Sequence, residues 1–463
     1  PIVSTSHAMK TSIRHLYING IPVATSLSYL IQDCAMGIGT FTLKIDTLAY
    51  KGKGVGRRDD GKVVFVPMVL PGEYVRVHTI KEHASYCEAE LDEIITDSPA
   101  RVRPVCPIFS ICGGCDWQHI AYPAQIAWKQ EILFREVCKP CKEHGMFLLR
   151  SVSSGEVYGY RCHARIQCSY DPEFTLGFFL KRSHTLVNFE TCPMLKRRLQ
   201  DIFPRIRAYL KRYPGRVIQA LELYAPEDEV FLLIHVRRSA TKEDVLPFLP
   251  LMQILDIAGI VIIKPGPMGW RHAWGRDRFT YHVHAQGKLF CLFGDVGGFI
   301  QANIGINDAM VEHVLACAQG SQRVLELYSG CGNFSIPLGH IAEEVIAVER
   351  DPRLATLGRE NAKANDLFNI KFIHSDVCTA LESYLTGGFD TVVLDPPREG
   401  VKDLAQLLFR FKPTRILYVS CNPTTLARDL SPLRSHGFSL ASLRFFDMFP
   451  QTYHIEAIAC LER

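Results

Sequence analysis

The 463-residue chain lacks any apolar run long enough to cross a bilayer. Its opening residues lack the basic, apolar and small-residue order of a secretory signal, so a cytoplasmic protein is expected. Sixteen cysteines are present without regular spacing, which argues against a small secreted disulfide scaffold. Reduced thiols, a metal centre or a catalytic thiol are the uses that remain. Charge of one sign is not in excess either: 52 Lys and Arg stand against 48 Asp and Glu, a net charge of +4. That balance permits nucleic-acid binding without arguing for it. Two local runs, 51–58 and 196–212, are more basic, and each either touches phosphate or forms a solvated face. Apolar material is plentiful at 47%. At this length it can fill the cores of about two to four domains.

Residues 1–41 carry no clear period and are expected to form an N-terminal extension; Met36 precedes the first well-patterned segment. Over 42–98, short alternating runs such as FTLKIDTLAY, KVVFVPMVL and YVRVHTIKE are punctuated by glycine turns, which predicts a small β-barrel. Gly52, Gly54 and Gly56 allow a tight basic loop, either approaching a phosphate backbone or forming a plain solvated hairpin. The middle, 99–296, mixes strand-like runs with a helical-looking 194–210 and ends in an aromatic, His-rich hairpin whose histidines read as structural. From 297 onward RVLELYSG, EVIAVER, IKFIHSDV, TVVLDPP and RILYVSC alternate with helix-length segments. That is the pattern of a doubly wound α/β sheet, with LRFFDMF and YHIEAIACLE as two further strands.

Ligands of such sheets lie beyond the carboxyl ends of the strands. The first strand here ends in ELYSGCGNF, where Gly330 and Gly332 let the backbone turn tightly and approach a ligand. The spacing is not G-x-G-x-x-G, so a dinucleotide is not favoured. Glu349 ends the second strand and suits ribose hydroxyls, Asp376 follows the third, and Asp395 opens DPPR after the fourth. Together they point to S-adenosylmethionine.

Cys421 in YVSCNPTTLARDL and Glu456 in FPQTYHIEA suit pyrimidine chemistry. Uracil C5 is a poor nucleophile; a thiolate adding to C6 makes C5 enolate-like and able to take a methyl group from a sulfonium. A base must then remove the C5 proton so that the thiolate can leave. The plainer readings are a buried apolar cysteine and a paired surface carboxylate. The neighbouring DPPR motif favours nucleophile and base. Arg398 either forms a structural ion pair or meets cofactor or base, and Phe299 is either a stacking partner or a core residue. His454 shares the strand alternation of Glu456 and is left unassigned. An exocyclic-amine methyltransferase would instead carry Asn/Asp-Pro-Pro-Tyr/Phe and need no nucleophilic cysteine.

Cys106, Cys112 and Cys115 fall in CPIFSICGGCDWQH, and Cys192 in FETCPML is the best fourth thiolate for a four-sulfur site. Spacing does not separate zinc from an iron–sulfur cubane, and unrelated buried cysteines are the third possibility. Cys138 and Cys141 form a C-x-x-C pair without a matching second pair and read as incidental. Cys162, Cys168, Cys331 and Cys378 read as core or near-core residues.

The motifs GDVGGFIQANIGIN, LELYSGCGNFSIPL, LDPPREG, YVSCNPTTLARDL and FPQTYHIEA resemble those of the RNA 5-methyluridine methyltransferases. Within them, the chain looks like the iron–sulfur 23S ribosomal RNA (uracil-5-)-methyltransferases with an N-terminal TRAM domain. The resemblance runs from about residue 42 to 463 and is least specific in the middle third. It implies an α/β fold: a Rossmann-like class I S-adenosylmethionine-dependent domain over 297–463, an OB-like TRAM barrel over 42–98, and a mixed α+β iron–sulfur domain over 99–296. It implies cofactor contacts at Gln301, Tyr328, Asn333, Glu349, Asp376 and Asp395, and it favours a [4Fe–4S] cluster on the four cysteines. Glu326 and Ser329 stand where the family often shows Asp and Cys. The implied partner is 23S ribosomal RNA, with no membrane and no protein partner. A tRNA substrate, or an inactive RNA-binding or ribosome-assembly factor, stay as alternatives.

Overall fold

The structure is a computed structural model that describes residues 39–139, 150–171, 173–213, 215–267, 269–385, 388–409 and 411–463, with the short strands Tyr17–Ile18 and Ile21–Pro22. Most of the expected extension and Cys141 lie outside the described residues. No described helix is long and apolar enough to cross a membrane.

Strands β1 (Thr40–Leu48), β2 (Gly54–Arg57), β3 (Val63–Val66), β4 (Tyr74–Glu82) and β5 (Tyr86–Thr96) close into a barrel. Alternation builds it: Leu43 and Ile45, Val64 and Val66, Val75 and Val77, and Cys87 and Ala89 point inward and fill the lumen. The order around the barrel is β1-β2-β3-β5-β4, with β3 and β5 parallel, which is the OB arrangement. Two of the four cations of the basic run 51–58 are paired within the barrel, Lys53 with Glu88 at 2.7 Å and Arg58 with Asp60 and Glu82.

The middle of the chain forms a seven-stranded sheet from β6 (His163–Ser169), β7 (Thr175–Phe179), β8 (Leu186–Asn188), β9 (Ile218–Tyr224), β10 (Phe231–Val236), β11 (Gly259–Lys264) and β12 (Trp270–Gly275). Helix α2 (Arg197–Arg212) is the helical segment expected there. Its stripe Leu199, Ile202, Phe203, Ile206 and Leu210 packs on the sheet. Three of its cations, Arg197, Arg198 and Arg207, are engaged by Asp201, Asp256 and Glu190 on the central domain's own surface. The His-rich segment divides: Trp270–Gly275 joins the sheet, while β13 (Arg278–Ala285) and β14 (Lys288–Asp295) form the hairpin. His282 and His284 pair there with Glu227 and Asp308.

The C-terminal sheet comprises β15 (Arg323–Leu327), β16 (Glu344–Glu349), β17 (Ile370–His374), β18 (Thr391–Leu394), β19 (Arg415–Ser420), β20 (Ser439–Phe446) and β21 (Glu456–Glu462). Their order is β17-β16-β15-β18-β19-β21-β20, and β21 runs antiparallel to both neighbours. Strands such as TVVL and RILYVS read as unbroken apolar runs because both sheet faces are covered. One face is covered by α1 (Tyr122–Leu133) with its flanking segment, which brings Trp117, Ile132 and Leu133 against Leu440 and Phe445. The other takes the β13–β14 hairpin and α3 (Ile304–Cys317). Packing therefore crosses the division expected after 296: 117–138 and 278–296 sit on the C-terminal sheet. Lys129 of α1 and Asp447 form an ion pair at 2.6 Å with both side chains fully buried, and removing one partner of such a pair costs about 3–5 kcal/mol.

Candidate active site

Strand β19 ends at Ser420, and Cys421 is the next residue. The Asn422 side chain accepts from Thr424 N–H at 3.2 Å, and Pro423 opens α4 (Pro423–Ser435), so the thiol sits at a sharp strand-to-helix turn. The antiparallel register pairs Ser420 with Ala457. One step outward, Cys421 stands across from Glu456, although 35 residues separate them in sequence. The DPPR segment after β18 is tied to the same turn: Asn422 Nδ2 and Thr425 Oγ1 both donate to the Arg398 carbonyl at 3.1 Å.

Negative charge is crowded here. Burial pushes the Cys421 thiol up to about 11, with Glu456 adding to the rise, Arg398 opposing it and Asp395 adding again. The Glu456 acid is held well above the usual carboxyl range by burial and then by Asp395, with Arg398 opposing. Desolvation pushes Asp395 up to about 7. His454, lowered to about 4 by burial and then by Arg398, is a neutral imidazole at physiological pH. It precedes β21, and its ring lies 4.5 Å from that of Tyr453, tilted by 40°. Tyr50, raised to about 12 by burial and then by Cys421, brings the β1–β2 turn of the barrel to the thiol. Its position was not legible in sequence, since nothing in a barrel turn advertises a neighbour some 370 residues away.

Because the Arg398 guanidinium favours the thiolate, Arg398→Gln should leave less thiolate at any given pH. Alkylation of Cys421 by iodoacetamide, followed by mass spectrometry, is expected to slow severalfold near pH 8 and to shift its rise to higher pH. An unchanged profile would remove Arg398 from the account.

Gln301, Tyr328, Asn333 and Asp395 line one cavity beside this turn, together with Phe299 and Ser329. Phe299 is 74% exposed, so the core alternative for it does not hold. Tyr328 has φ 64° and Gly330 φ 56°, so the glycine turn includes a non-glycine residue in the left-handed region, a strained conformation. Both Glu349 oxygens hold that turn and the next one, accepting from Gly330 N–H at 2.9 Å and Asp351 N–H at 2.7 Å. Asn333 exchanges amide hydrogen bonds of 2.9 Å with Asn307 of α3, a partner that sequence reasoning missed. Asp376 is exposed and outside the lining; it accepts from Thr379 N–H and lies near the Tyr328 phenol. Glu326 is fully buried beside Asp395 and Glu349, and its acid is raised to about 8 by burial. The Ser329 hydroxyl is buried without a partner, a polar atom left for a ligand.

Cys106, Cys112, Cys115 and Cys192 line a single cavity of about 60 Å³, and none is in a disulfide. Gly113 lets this loop dock by N–H to the Phe179 carbonyl at 2.9 Å; a Cβ there would stand 3.0 Å from that oxygen. Burial pushes Cys115 up to about 12 and Cys192 to about 11, with Arg161 on the same wall opposing both shifts. Among the described residues, no group of three or more His, Cys, Asp and Glu side chains closes on a point that one metal ion would occupy. Cys162, Cys168 and Cys331 are buried, but Cys378, expected near the core, is exposed beside the turn after β17.

A groove of about 1200 Å³ runs between the barrel, the thiol loop and the end of β7, with Lys51, Lys181, Arg182, Phe179 and His454 on its walls. Gly52 sits where the barrel turn meets Trp117 and Tyr453: a Cβ there would lie 2.7 Å from Trp117 Nε1 and 3.1 Å from Tyr453 Cβ.

Known proteins resemble this chain in sequence and in fold. The model of the family described as tRNA (Uracil-5-)-methyltransferase matches residues 267–463, and that of the TRAM domain matches 39–91. A protein of Shewanella sediminis (strain HAW-EB3) named 23S rRNA (uracil(1939)-C(5))-methyltransferase RlmD is 35% identical over 430 residues, covering 91% of this chain and 95% of that protein. Its namesake in Salmonella choleraesuis (strain SC-B67) is 34% identical over 442 residues, covering 91% and 96%. Among solved structures, Pyrococcus abyssi tRNA (uracil-54, C5)-methyltransferase in complex with S-adenosyl-L-homocysteine shares the fold. Its TM-score is 0.72 at 23% identity, covering 91% of this chain and all of that one. By this extent of identity over nearly the whole length, the chain belongs to the RNA (uracil-5-)-methyltransferase family.

Proposed function

We propose that this chain methylates C5 of uracil in RNA, with S-adenosylmethionine as donor and 23S ribosomal RNA as substrate. The observation that carries the reading is the register of β19 and β21, which sets Cys421 across from Glu456 beside the cavity that Asp395 lines. When bound, S-adenosylmethionine supplies an electrophilic methyl group on a cationic sulfur. The buried acids Glu326 and Asp395 and the unpartnered Ser329 hydroxyl suit a polar, positively charged guest. Gln301 and Asn333 offer amide hydrogen bonds, Tyr328 an aromatic wall and Glu349 a ribose acceptor.

The Cys421 sulfur adds to uracil C6, and electron density moves to C5, which takes the methyl group. Glu456 then takes the C5 proton, the C5–C6 double bond re-forms and the thiolate leaves. Arg398 favours the anionic thiolate. The target uracil must leave its stack to present both ring faces. Lys51, Arg182 and Phe179 in the groove, and exposed Phe299 at the cofactor cavity, supply cationic and stacking surfaces for loop RNA.

The four thiols are assigned to a [4Fe–4S] cluster. Around zinc, sulfurs 2.3 Å from the metal would stand only about 3.8 Å apart. A cubane takes each sulfur at a separate corner and suits thiols spread around one cavity wall. Methyl transfer moves no net electrons, so a folding or positioning role fits better than redox turnover. Cys112→Ser should lose the brown absorbance, iron and acid-labile sulfide of anaerobically purified protein. A colourless, zinc-loaded wild type would refute the cluster.

Nucleoside mass spectrometry of unmodified ribosomal RNA and tRNA, incubated with the protein and labelled S-adenosylmethionine, tests the whole reading. New 5-methyluridine in ribosomal RNA is expected. Label in tRNA alone would overturn the substrate, and no label with cofactor bound would leave an RNA-binding factor.

A further inference from the structure

The stretch from Asp447 to Ile455 delivers Glu456 to the start of β21, yet it carries no regular secondary structure. An irregular segment would ordinarily fluctuate, and this one contains Gln451 at φ 67°, a strained conformation that something must hold. Its polar groups are nevertheless buried, including Asp447, Gln451 and Thr452. Thr452 Oγ1 donates within the segment to the Phe449 carbonyl and Asp447 Oδ2 is left without a hydrogen bond, while Asp447 Oδ1, Gln451 and the Phe449 and Pro450 carbonyls are held from two directions.

From α1, Lys129 Nζ donates to Asp447 Oδ1 at 2.6 Å and to the Phe449 carbonyl at 2.9 Å. Gln125 and Gln451 form a reciprocal pair, Gln125 Nε2 donating to Gln451 Oε1 and Gln451 N–H donating to Gln125 Oε1, both at 2.9 Å. From the thiol centre, the N–H groups of Asp116 and Trp117, the two residues after Cys115, donate to the Gln451 carbonyl at 3.1 and 2.9 Å. The Tyr160 hydroxyl, one residue before the Arg161 that lines the thiol cavity, donates to the Pro450 carbonyl at 3.1 Å. The two Gln125 amide hydrogens are shared among Gln451 Oε1 and the Trp117 and Ile120 carbonyls, 3.1 and 2.8 Å from Nε2, which joins the two sides.

We propose that α1 and the cysteine loop act as the two jaws of a clamp that fixes the approach to the catalytic base, with Gln125, Lys129 and Tyr160 as positioning residues. The proposal rests on the reading of Glu456 as the base. It gives the four-thiol centre a task in a reaction that moves no electrons: its loop holds the peptide that aims the carboxylate. Proton removal needs reacting atoms within about 3–3.5 Å, and a displacement of about 1 Å can cost on the order of a hundredfold. Cys421 is held separately, by β19 and the cap of α4. Loosening the clamp therefore slows proton removal selectively and leaves thiol addition and methyl transfer largely intact. The methylated protein–RNA adduct accumulates. General damage to the fold would slow every step.

The test uses Gln125→Leu, which keeps bulk but removes the amide, and Tyr160→Phe, which removes a single hydroxyl, both in the full chain. Single-turnover reactions with methyl-labelled S-adenosylmethionine are resolved on denaturing gels. Adduct formation is expected within about twofold of wild type, with resolution about tenfold slower in Gln125→Leu and less slowed in Tyr160→Phe. Hydrogen exchange should be faster at amides 449–456 in both variants and in Cys115→Ser, and unchanged in 415–420. Equal slowing of adduct formation and resolution, or wild-type exchange at 449–456 in both Gln125→Leu and Tyr160→Phe, overturns the clamp. Glu456→Gln is run in parallel. If it traps no adduct, the assignment of the base has failed, and the exchange measurement still decides whether the clamp exists.

Discussion

Cys421→Ala is expected to abolish RNA methylation, by a factor on the order of 10⁴ or more, while S-adenosylmethionine binding stays within about twofold of wild type. The loss is large because the thiol is the one route proposed for moving electron density onto C5. Binding survives because the cavity is walled by Gln301, Tyr328, Ser329 and Asn333, and the sulfur is not among its lining groups. The fold survives as well: Asn422 keeps its cap on α4, and truncating one partly buried side chain costs about 1 kcal/mol. Label incorporation into RNA and equilibrium cofactor binding read the two halves. Retained turnover would end the covalent mechanism.

Glu456→Gln should separate the steps instead of stopping the first. The amide keeps the shape of the acid and cannot accept the C5 proton, so adduct resolution should slow by about 10²–10⁴-fold. Thiol attack should not suffer. The Glu456 carboxylate raises Cys421, so a neutral amide in its place lowers the thiol's pKa and increases the thiolate fraction at a given pH. The expected product is a protein–RNA adduct that carries the new methyl group and survives denaturation. Normal turnover would show that another group takes the proton.

The strand ends were readable because glycines, DPPR and Ser-Cys-Asn-Pro punctuate apolar runs whose length and alternation follow directly from a sheet covered on both faces. The small barrel was readable for the same reason, in period-two form. Sequence could not tell that β21 enters the sheet between β19 and β20, because strand order depends on packing between distant segments. That insertion is what sets Glu456 beside Cys421. Nor could it assign Trp117 and α1 to the C-terminal sheet, since an apolar helix does not declare which face it will cover. The charge runs left two readings open for the same reason. A count of cations over 196–212 says nothing of Asp201, Asp256 and Glu190, which pair with Arg197, Arg198 and Arg207. Tyr50 and the Gln125–Gln451 pair depend on contacts that no local pattern encodes.

The pairing of Ser420 with Ala457 also bears on how such a site withstands divergence. The spacing of nucleophile and base is measured by main-chain hydrogen bonds, which every residue except proline can supply. Substitutions along either strand can therefore accumulate without altering that gap, provided the apolar pattern persists. A single inserted or deleted residue is different, because it turns the carboxylate to the opposite side of the sheet. Point changes are tolerated there where changes of length are not, so the reactive geometry can outlast most of the sequence that surrounds it.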